Sequence, residues 1–181
     1  VSNFESFKNH VSVLFWSLGN ESYAGDILVE MNRYYKEKDP DRLVHYEGVA
    51  ENRPYEDLIS DMESQMYAPP EKIKEYLENN PKKPFILCEY MHDMGNSLGG
   101  MESYIRLLDQ YEDYQGGFIW DYIDQALFVK DEVTGRDVLR YGGDFDDRPS
   151  DYEFSGNGIL FADRTEKPAM QEVRHYYGLR R

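Results

Sequence analysis

The chain has 181 residues, a length typical of one domain, and its 16 Tyr, 9 Phe and 2 Trp argue against disorder. A formal net charge of −15 would repel nucleic acid and anionic membranes, so we expect neither as a partner, whereas neutral sugars remain compatible with it. A single cysteine, Cys88, excludes an internal disulfide and fits a reducing, cytoplasmic location.

Five apolar runs alternate with segments of helical spacing along the chain. The first residue is Val and the opening reads as the middle of a helix, so we expect the true N-terminus to lie upstream. Residues 131–157 are rich in Gly, Asp and Tyr, which is typical of long loops. The predicted strands are 11–18, 43–47, 65–67, 84–90 and 117–121. The predicted helices are 24–38, with Ile27, Leu28, Met31 and Tyr34 at helical spacing, 70–79, 103–111 and 168–177.

Runs that are apolar on both faces and alternate with helices indicate a parallel sheet covered by helices, an α/β fold. Glu21, Tyr67, Glu89 and Trp120 all follow or end these runs, and the C-terminal rim of a (β/α)8 TIM barrel is where active sites are built. No Gly-rich phosphate motif follows the first run, which disfavours a nucleotide-binding sheet. Since only five strands are visible, we expect residues 1–181 to form the C-terminal part of a barrel, roughly its last five strands.

Two carboxylates suggest glycoside hydrolysis. Glu21 follows an apolar run and a Gly-Asn turn, and Glu89 ends another apolar run. Glycosidases cleave an acetal with one carboxyl group that protonates the leaving oxygen and a second that attacks the anomeric carbon or activates a water molecule. A barrel gathers such strand ends despite their distance in sequence. The alternative for either residue alone is an ordinary solvated surface charge.

Several neighbouring residues suit sugar binding, and each has a simpler interpretation. Asn20 precedes Glu21 and is suited to hydrogen-bond a hydroxyl, while Trp120 offers a flat face to a pyranose ring or is simply part of the core. The Glu89-x-x-His92 spacing would pair metal ligands on a helix, but Glu89 should end a strand. His45, inside an apolar run, is expected to be a core histidine.

At these residues the chain resembles the catalytic barrel of the large lactose-cleaving β-galactosidases of glycoside hydrolase family 2. The similarity covers almost the whole chain, and its motifs are collinear. They are SLGNES (Ser17–Ser22), ILCEY-x-H-x-MGNSLGG (Ile86–Gly100), QGGF-x-WD (Gln115–Asp121), YGGDF (Tyr141–Phe145) and NG-x-x-FADR (Asn157–Arg164).

The resemblance implies a retaining β-galactosidase acting on terminal β-galactose of lactose-type substrates by double displacement, with its two carboxyl groups about 5–5.5 Å apart. Glu21 matches the general acid/base, Glu89 the nucleophile that forms a galactosyl-enzyme, and Tyr67 a tyrosine that assists near the nucleophile. Asn20, His92 and Trp120 match residues that bind the sugar.

The resemblance also implies two metal ions. Mg²⁺ would have Glu21 among its ligands, and Na⁺ would bind the Phe154 carbonyl and the Asn157 side chain near the galactose 6-hydroxyl. The other Mg²⁺ ligands, one Na⁺ ligand and the first barrel strands are expected upstream, so the Mg²⁺ site is incomplete in this chain. His10 is followed by Val11 where family members usually carry proline, a change that affects a loop and leaves the chemistry untouched.

Alternatives remain open at this point. The chain alone is expected to be inactive, with the missing part of the barrel needed for activity and a homo-oligomer implied for the intact enzyme. A non-catalytic partial barrel could instead serve as a sugar-binding or assembly module, because an open parallel sheet leaves edges for pairing. A related specificity within the family, β-glucuronidase or β-mannosidase, is also compatible with the residues.

Overall fold

The computed structural model describes residues 1–179. Helices and strands alternate from Phe15 to Ile119, which confirms the mixed α/β character predicted from the apolar runs. Within the described residues the helices are α1 Ser2–Phe7, α2 Asp26–Lys38, α3 Glu56–Ile59, α4 Pro70–Glu78, α5 Glu102–Gln110 and α6 Met170–Gly178. The strands are β1 Phe15–Ser17, β2 Leu43–His45, β3 Glu63–Met66, β4 Phe85–Tyr90, β5 Tyr114–Ile119, β6 Leu127–Lys130 and β7 Asp137–Arg140, and short 3₁₀ turns lie at Glu47–Ala50, Arg53–Tyr55 and Tyr152–Ser155.

Backbone contacts divide the described chain into two compact units. The first contains residues 1–88 and 110–117, and the second contains residues 89–109 and the described residues from Phe118 onward. None of the helices in residues 1–179 combines the length and apolar character needed to cross a membrane.

The core of the first unit is built on the parallel pair β1–β2. Trp16 lies opposite Val44 in this pair, and both side chains are buried. Helix α2 packs against the pair through Tyr35, whose ring stacks on Trp16 with the ring centroids 5.2 Å apart. Of the apolar residues at helical spacing in α2, Leu28, Met31 and Tyr34 pack against the core that contains Val29 and Tyr35, whereas Ile27 is 78% exposed.

The next three strands form a sheet in the order β3-β4-β5. Phe85, Ile86 and Leu87 of β4 are buried in succession, as expected for a strand covered on both faces. The third strand begins and ends earlier than the predicted run 65–67, so Tyr67 lies just beyond it. The described strands form three separate sheets, β1-β2, β3-β4-β5 and β6-β7, and residues 1–179 do not form a closed barrel.

A β-hairpin interrupts the segment that was predicted as loop. Strand β7 lies within residues 131–157 and pairs antiparallel with β6 from Leu127↔Arg140 to Lys130↔Asp137. The loop prediction is wrong at β7 because Asp137–Arg140 pairs with β6, whereas most of the Gly and Asp residues of the segment lie after this strand. Asp131 accepts hydrogen bonds from the amide and hydroxyl of Thr134, and Gly135 has a left-handed φ of 67°, so the turn holds the two strands together.

The second unit has its own small core. Met101, Ile159, Leu160 and Val173 are buried against one another, which joins the start of α5 to α6 and to the segment before it. The Met101 amide donates to the Glu172 carboxylate at 2.7 Å, so α6 is tied to the start of α5 by a charged acceptor as well as by apolar packing.

Candidate active site

The first predicted carboxylate lies on a short loop after β1. Strand β1 ends at Ser17, and the Leu18 amide continues the pairing with the neighbouring strand by donating to the His45 carbonyl at 3.0 Å. Glu21 then adopts a left-handed backbone with φ 53°, and its side chain is exposed, as is that of Asn20. The strand therefore delivers Glu21 to the surface of the first unit, where a substrate oxygen can reach it.

Two residues that the sequence analysis did not single out hold this loop. The Glu21 amide donates to the Glu47 carboxylate at 2.6 Å, and the Ser22 amide donates to the Tyr46 hydroxyl at 3.0 Å. The Tyr46 hydroxyl in turn donates to the Ser22 carbonyl. Both partners directly follow β2, so the signal that could have found them is a polar pair at the end of the second apolar run.

A cavity of about 520 Å³ opens beside Glu21 in the first unit. It combines acidic and basic side chains, and one of its basic residues, Arg53, donates two hydrogen bonds to the Glu63 carboxylate at 2.6 and 2.9 Å. This pairing raises the pKa of Arg53, so the guanidinium keeps its charge. A second cavity of about 420 Å³ in the same unit contains none of the predicted site residues. The polar lining of the first cavity comprises Glu21, Ser22, Glu47, Glu51, Arg53, Gln65 and Lys72.

Tyr67 lies at the end of β3 with a left-handed φ of 52°. The residue is 38% exposed, and the preceding residue, Met66, lines the cavity beside Glu21. Tyr67 therefore directly follows the strand, close to the predicted strand end.

His45 is a core histidine, as expected. Its two ring nitrogens lie 2.9 Å from the Ser17 hydroxyl and 2.7 Å from the Ser64 hydroxyl. Burial lowers the pKa of His45 to about 4, because the interior disfavours the charged imidazolium. The residue is therefore neutral near pH 7 and positions β1 and β3 rather than binding a substrate.

The second predicted carboxylate, Glu89, lies near the end of β4 and is half-buried. The next residue, Tyr90, is buried, and its hydroxyl lies 2.9 Å from that of Tyr177 on α6. The chain then turns at Met91 with a left-handed φ of 54°. This turn fixes the direction in which His92 leaves the strand.

His92, Phe154 and Asn157 come together in the second unit. The rings of His92 and Phe154 meet edge to face with their centroids 6.2 Å apart. The Asn157 side-chain amide donates to the Phe154 carbonyl, while its Oδ1 is buried without a partner among the described residues. A buried amide oxygen and a nearby carbonyl are the hard oxygen ligands that a cation such as Na⁺ uses.

Hydrogen bonds hold the backbone of Trp120 at both its amide and its carbonyl. Its amide donates to the Tyr90 carbonyl at 3.0 Å, and its carbonyl accepts from the Asp93 amide at 2.8 Å. The Asp121 amide then donates to the Asn157 carbonyl at 2.7 Å. Trp120, its neighbours at the end of β4 and Asn157 are therefore connected by backbone hydrogen bonds within the second unit.

Asp93 is a buried acid that the sequence analysis did not identify. Only 3% of the residue is exposed, and its Oδ2 has no hydrogen-bond partner among the described residues. Burial raises the pKa of Asp93, and the nearby Lys167, which pairs with Asp124 at 2.8 Å, opposes the rise. No sequence signal marked it beyond its place beside His92.

Comparison of the sequence with protein-family models decides the family. The model for glycosyl hydrolases family 2, TIM barrel domain, matches residues 1–180. The chain belongs to this family.

Curated relatives of this family 2 chain carry a common name. It is 74% identical over 177 residues to the β-galactosidase large subunit of Latilactobacillus sakei and 71% identical over 177 residues to that of Lactobacillus helveticus. Each alignment covers 98% of this chain and 28% of the relative. The chain thus spans a little over a quarter of the length of the curated relatives it matches.

Solved structures support the fold. The family 2 chain superposes on a β-glucuronidase of Lactobacillus rhamnosus with a TM-score of 0.60 and 19% identity, covering 95% of this chain and 33% of that one. At this identity the match concerns the backbone alone, and the substrate in that protein's name does not transfer.

The two implied metal sites fit this family 2 chain differently. The buried Oδ1 of Asn157, which has no hydrogen-bond partner among the described residues, fits a monovalent cation, since a cation would satisfy this oxygen; the Phe154 carbonyl already accepts from the Asn157 side-chain amide. For Mg²⁺, the described residues contain no group of three or more His, Cys, Asp or Glu side chains that could hold a metal ion. Glu21 by itself does not make a Mg²⁺ site, because an ordered site needs several oxygen ligands.

Proposed function

We propose that this chain supplies both catalytic carboxylates of a longer retaining β-galactosidase. The observation that carries the proposal is the 74% identity to a β-galactosidase large subunit across nearly the whole chain, which includes Glu21 and Glu89. The chain would provide roughly the last five strands of the (β/α)8 barrel, and the remaining strands would come from the rest of the longer protein.

The proposed reaction has two displacements. Glu89 attacks the anomeric carbon while the Glu21 carboxyl gives its proton to the glycosidic oxygen, so the sugar–oxygen bond breaks and the aglycone leaves. Glu21, now a carboxylate, takes a proton from water, and the resulting hydroxide displaces Glu89 from the sugar. Galactose leaves with its β configuration retained, and both carboxyl groups return to their starting states.

The remaining predicted residues take supporting roles. Tyr67 assists beside the nucleophile, Asn20 and His92 hydrogen-bond the sugar, and Trp120 lies beneath the ring. The backbone hydrogen bonds on both sides of Trp120 support its role, because a platform for a sugar must keep a fixed orientation.

Sodium is proposed at the Phe154 carbonyl and the Asn157 side chain. When bound, Na⁺ would supply an oxygen-seeking charge that orients the galactose 6-hydroxyl. The support in the structure is the unsatisfied Asn157 Oδ1. Mg²⁺ with Glu21 as a ligand remains a proposal for the longer protein that is supported by the resemblance, and Glu21 acts in the reaction through its own proton.

The experiment is hydrolysis of lactose and nitrophenyl β-galactoside by the full-length protein that contains this chain. We expect turnover of galactosides and none of the matching glucuronide or mannoside. Glu89→Gln should abolish turnover, whereas Glu102→Gln, a control at an exposed glutamate of α5, should retain it. Preference for a glucuronide or mannoside would replace the sugar assignment, and galactoside binding without turnover would support a non-catalytic module instead.

Assembly and location complete the proposal. Because curated relatives are named large subunits, the full-length protein is proposed to act as one subunit of an oligomeric β-galactosidase. The homo-oligomer implied by the resemblance and a complex with a second type of subunit give different masses in native mass spectrometry. A cytoplasmic location is proposed from the single cysteine and is tested by cell fractionation.

A further inference from the structure

The loop that carries Glu21 has a backbone that must be held in place. Glu21 has φ 53°, in the left-handed region, which a residue with a Cβ rarely adopts because the Cβ crowds the following carbonyl oxygen. The side chains of Asn20, Glu21 and Ser22 are exposed, so packing of these side chains does not impose the conformation. The restraint must come from groups that form hydrogen bonds to the backbone of the loop.

Glu47 forms a hydrogen bond with the backbone of Glu21 itself. Its carboxylate accepts the Glu21 amide proton at 2.6 Å, and the Glu47 residue is only 7% exposed. A buried carboxylate that accepts a backbone N–H makes a charge-assisted hydrogen bond, which is shorter and stronger than a neutral one. The contact is made to the residue proposed as acid/base, not to its neighbours.

Tyr46 forms hydrogen bonds with the backbone of the next residue of the loop, Ser22. Its fully buried ring places the hydroxyl where it accepts from the Ser22 amide at 3.0 Å and donates to the Ser22 carbonyl. A single hydroxyl thus satisfies both backbone groups of Ser22. The loop cannot shift along its own direction without breaking both hydrogen bonds.

Gly48 has no side chain, which lets the Ser22 carbonyl and the Tyr46 ring lie close to its backbone. A Cβ at Gly48 would lie 2.5 Å from the Ser22 carbonyl oxygen and 2.5 Å from a Tyr46 ring carbon, distances that real Cβ atoms do not show. Three consecutive residues after β2 therefore shape the loop. Tyr46 binds it with a hydroxyl, Glu47 binds it with a carboxylate, and Gly48 leaves room for it because it has no side chain.

We infer that Tyr46, Glu47 and Gly48 form a positioning clamp that sets the orientation of the Glu21 carboxyl group. The inference rests on the proposed function for its catalytic meaning, since it assigns the clamp to the proton transfer made by Glu21. Glu47 is a positioning residue, because it acts on the reaction through the backbone of Glu21. In the first displacement, the clamp therefore matters most for substrates whose leaving group needs a proton.

The test compares leaving groups in the full-length protein. Glu47→Leu removes the acceptor, while Glu47→Gln keeps an oxygen for the Glu21 amide. Asp61→Leu is the matched control, because the Asp61 carboxylate also accepts a backbone amide proton, from Val44 at 2.7 Å, in the same unit. The constant kcat/KM is measured with lactose, whose glucose is a poor leaving group, and with dinitrophenyl galactoside, whose dinitrophenolate leaves without a proton.

We expect Glu47→Leu to lower kcat/KM on lactose by about a hundredfold, the cost of a small misplacement of a catalytic group. Loss of kcat/KM on the dinitrophenyl substrate should be far smaller, because this constant reports formation of the galactosyl-enzyme, which needs no proton when dinitrophenolate leaves. Glu47→Gln should recover most of the lactose activity. In a Glu21→Gln background, Glu47→Leu should add almost nothing on lactose, because the group it positions is gone. Equal losses on both substrates, matched by Asp61→Leu, would overturn the clamp and leave a structural role only.

A second measurement does not depend on galactosidase activity. Hydrogen exchange of the peptide containing Glu21 should accelerate in Glu47→Leu and in Tyr46→Phe and remain slow in Asp61→Leu. Unchanged exchange at Glu21 in both clamp variants would refute the clamp even if the protein proves to have another substrate. Conversely, if wild type turns over no galactoside but exchange accelerates as expected, the clamp stands and the proposed function fails.

Discussion

At the scale of single residues, the sequence marks the two proposed catalytic carboxylates, whereas it does not mark the groups around them. Glu21 and Glu89 stand in short motifs beside apolar runs, so local sequence marks them. Glu47 is buried and accepts the Glu21 amide proton, and Asp93 is buried with no partner for its Oδ2 among the described residues. Both properties depend on how segments distant in sequence pack together in the fold, and a single sequence contains no signal for that packing.

Replacing Glu21 should separate the two displacements. Glu21→Gln removes the proton donor and should lower kcat/KM on lactose by about 10²–10⁴-fold, the usual contribution of general acid–base catalysis. A dinitrophenyl galactoside should still form the galactosyl-enzyme, and added azide should speed its breakdown because the anion needs no base. If azide accelerates Glu89→Gln instead and leaves Glu21→Gln unchanged, the two roles are assigned the wrong way round.

Removing the Asn157 oxygen should weaken the proposed Na⁺ site. Asn157→Ala should raise the NaCl concentration needed for half-maximal activity, measured at constant ionic strength with choline chloride, because one of two ligand oxygens in the chain is lost. Asn32→Ala is the matched control, since Asn32 also donates its side-chain amide to a backbone carbonyl, that of Ile59 at 2.7 Å. An identical Na⁺ dependence in wild type and both variants would refute the site.

At the scale of elements, periodicity predicted the helices well and the hairpin poorly. Helices α4, α5 and α6 begin and end close to the predicted bounds because their apolar spacing is undisturbed. Strand β7 was missed because Asp137–Arg140 stands in a polar stretch and is defined by pairing with β6 rather than by its own composition. Pairing is a tertiary property that composition does not carry.

Strand β2 should weaken as the pH falls, because of His45. Its pKa in the folded protein is about 4, below the ordinary value of 6.5, so between these values only the unfolded chain binds the proton. The stabilisation is complete above about pH 6.5 and is lost as the pH falls toward about 4, by at most about 1.4 kcal/mol per pH unit.

Hydrogen exchange of peptides covering β1 and β2, corrected for intrinsic rates, measures this effect in the full-length protein. Protection should decline from pH 6.5 to pH 4 in wild type and stay level in His45→Gln, which keeps polar atoms beside Ser17 and Ser64 but has no proton to gain. A decline of the same size in both proteins would show that another group causes it.

At the scale of the whole molecule, the chain spans 28% of the length of the two β-galactosidase large subunits compared above, so the account concerns part of a longer protein. The α/β class followed from the alternation of runs, and the family followed from motifs in collinear order. Closure of a barrel did not follow, because the described strands form three separate sheets and closure requires strands that pair around a complete ring.

The isolated chain of 181 residues should not hydrolyse galactosides. The expected cause is the lack of the remaining barrel strands and of the other metal ligands, both of which the longer protein would supply. The measurement is nitrophenyl galactoside turnover by the isolated chain beside the full-length protein. Turnover by the isolated chain that disappears in Glu89→Gln would contradict the prediction and show that residues 1–181 suffice.

The central claim is that Glu89 forms a covalent bond to galactose in a retaining reaction. The most direct measurement is mass spectrometry of peptides from the full-length protein after inactivation with a dinitrophenyl 2-deoxy-2-fluoro-β-galactoside, which traps the galactosyl-enzyme. The account predicts one fluorogalactosyl group on Glu89. A label on any other residue, or full turnover of galactosides with no label formed, would contradict it.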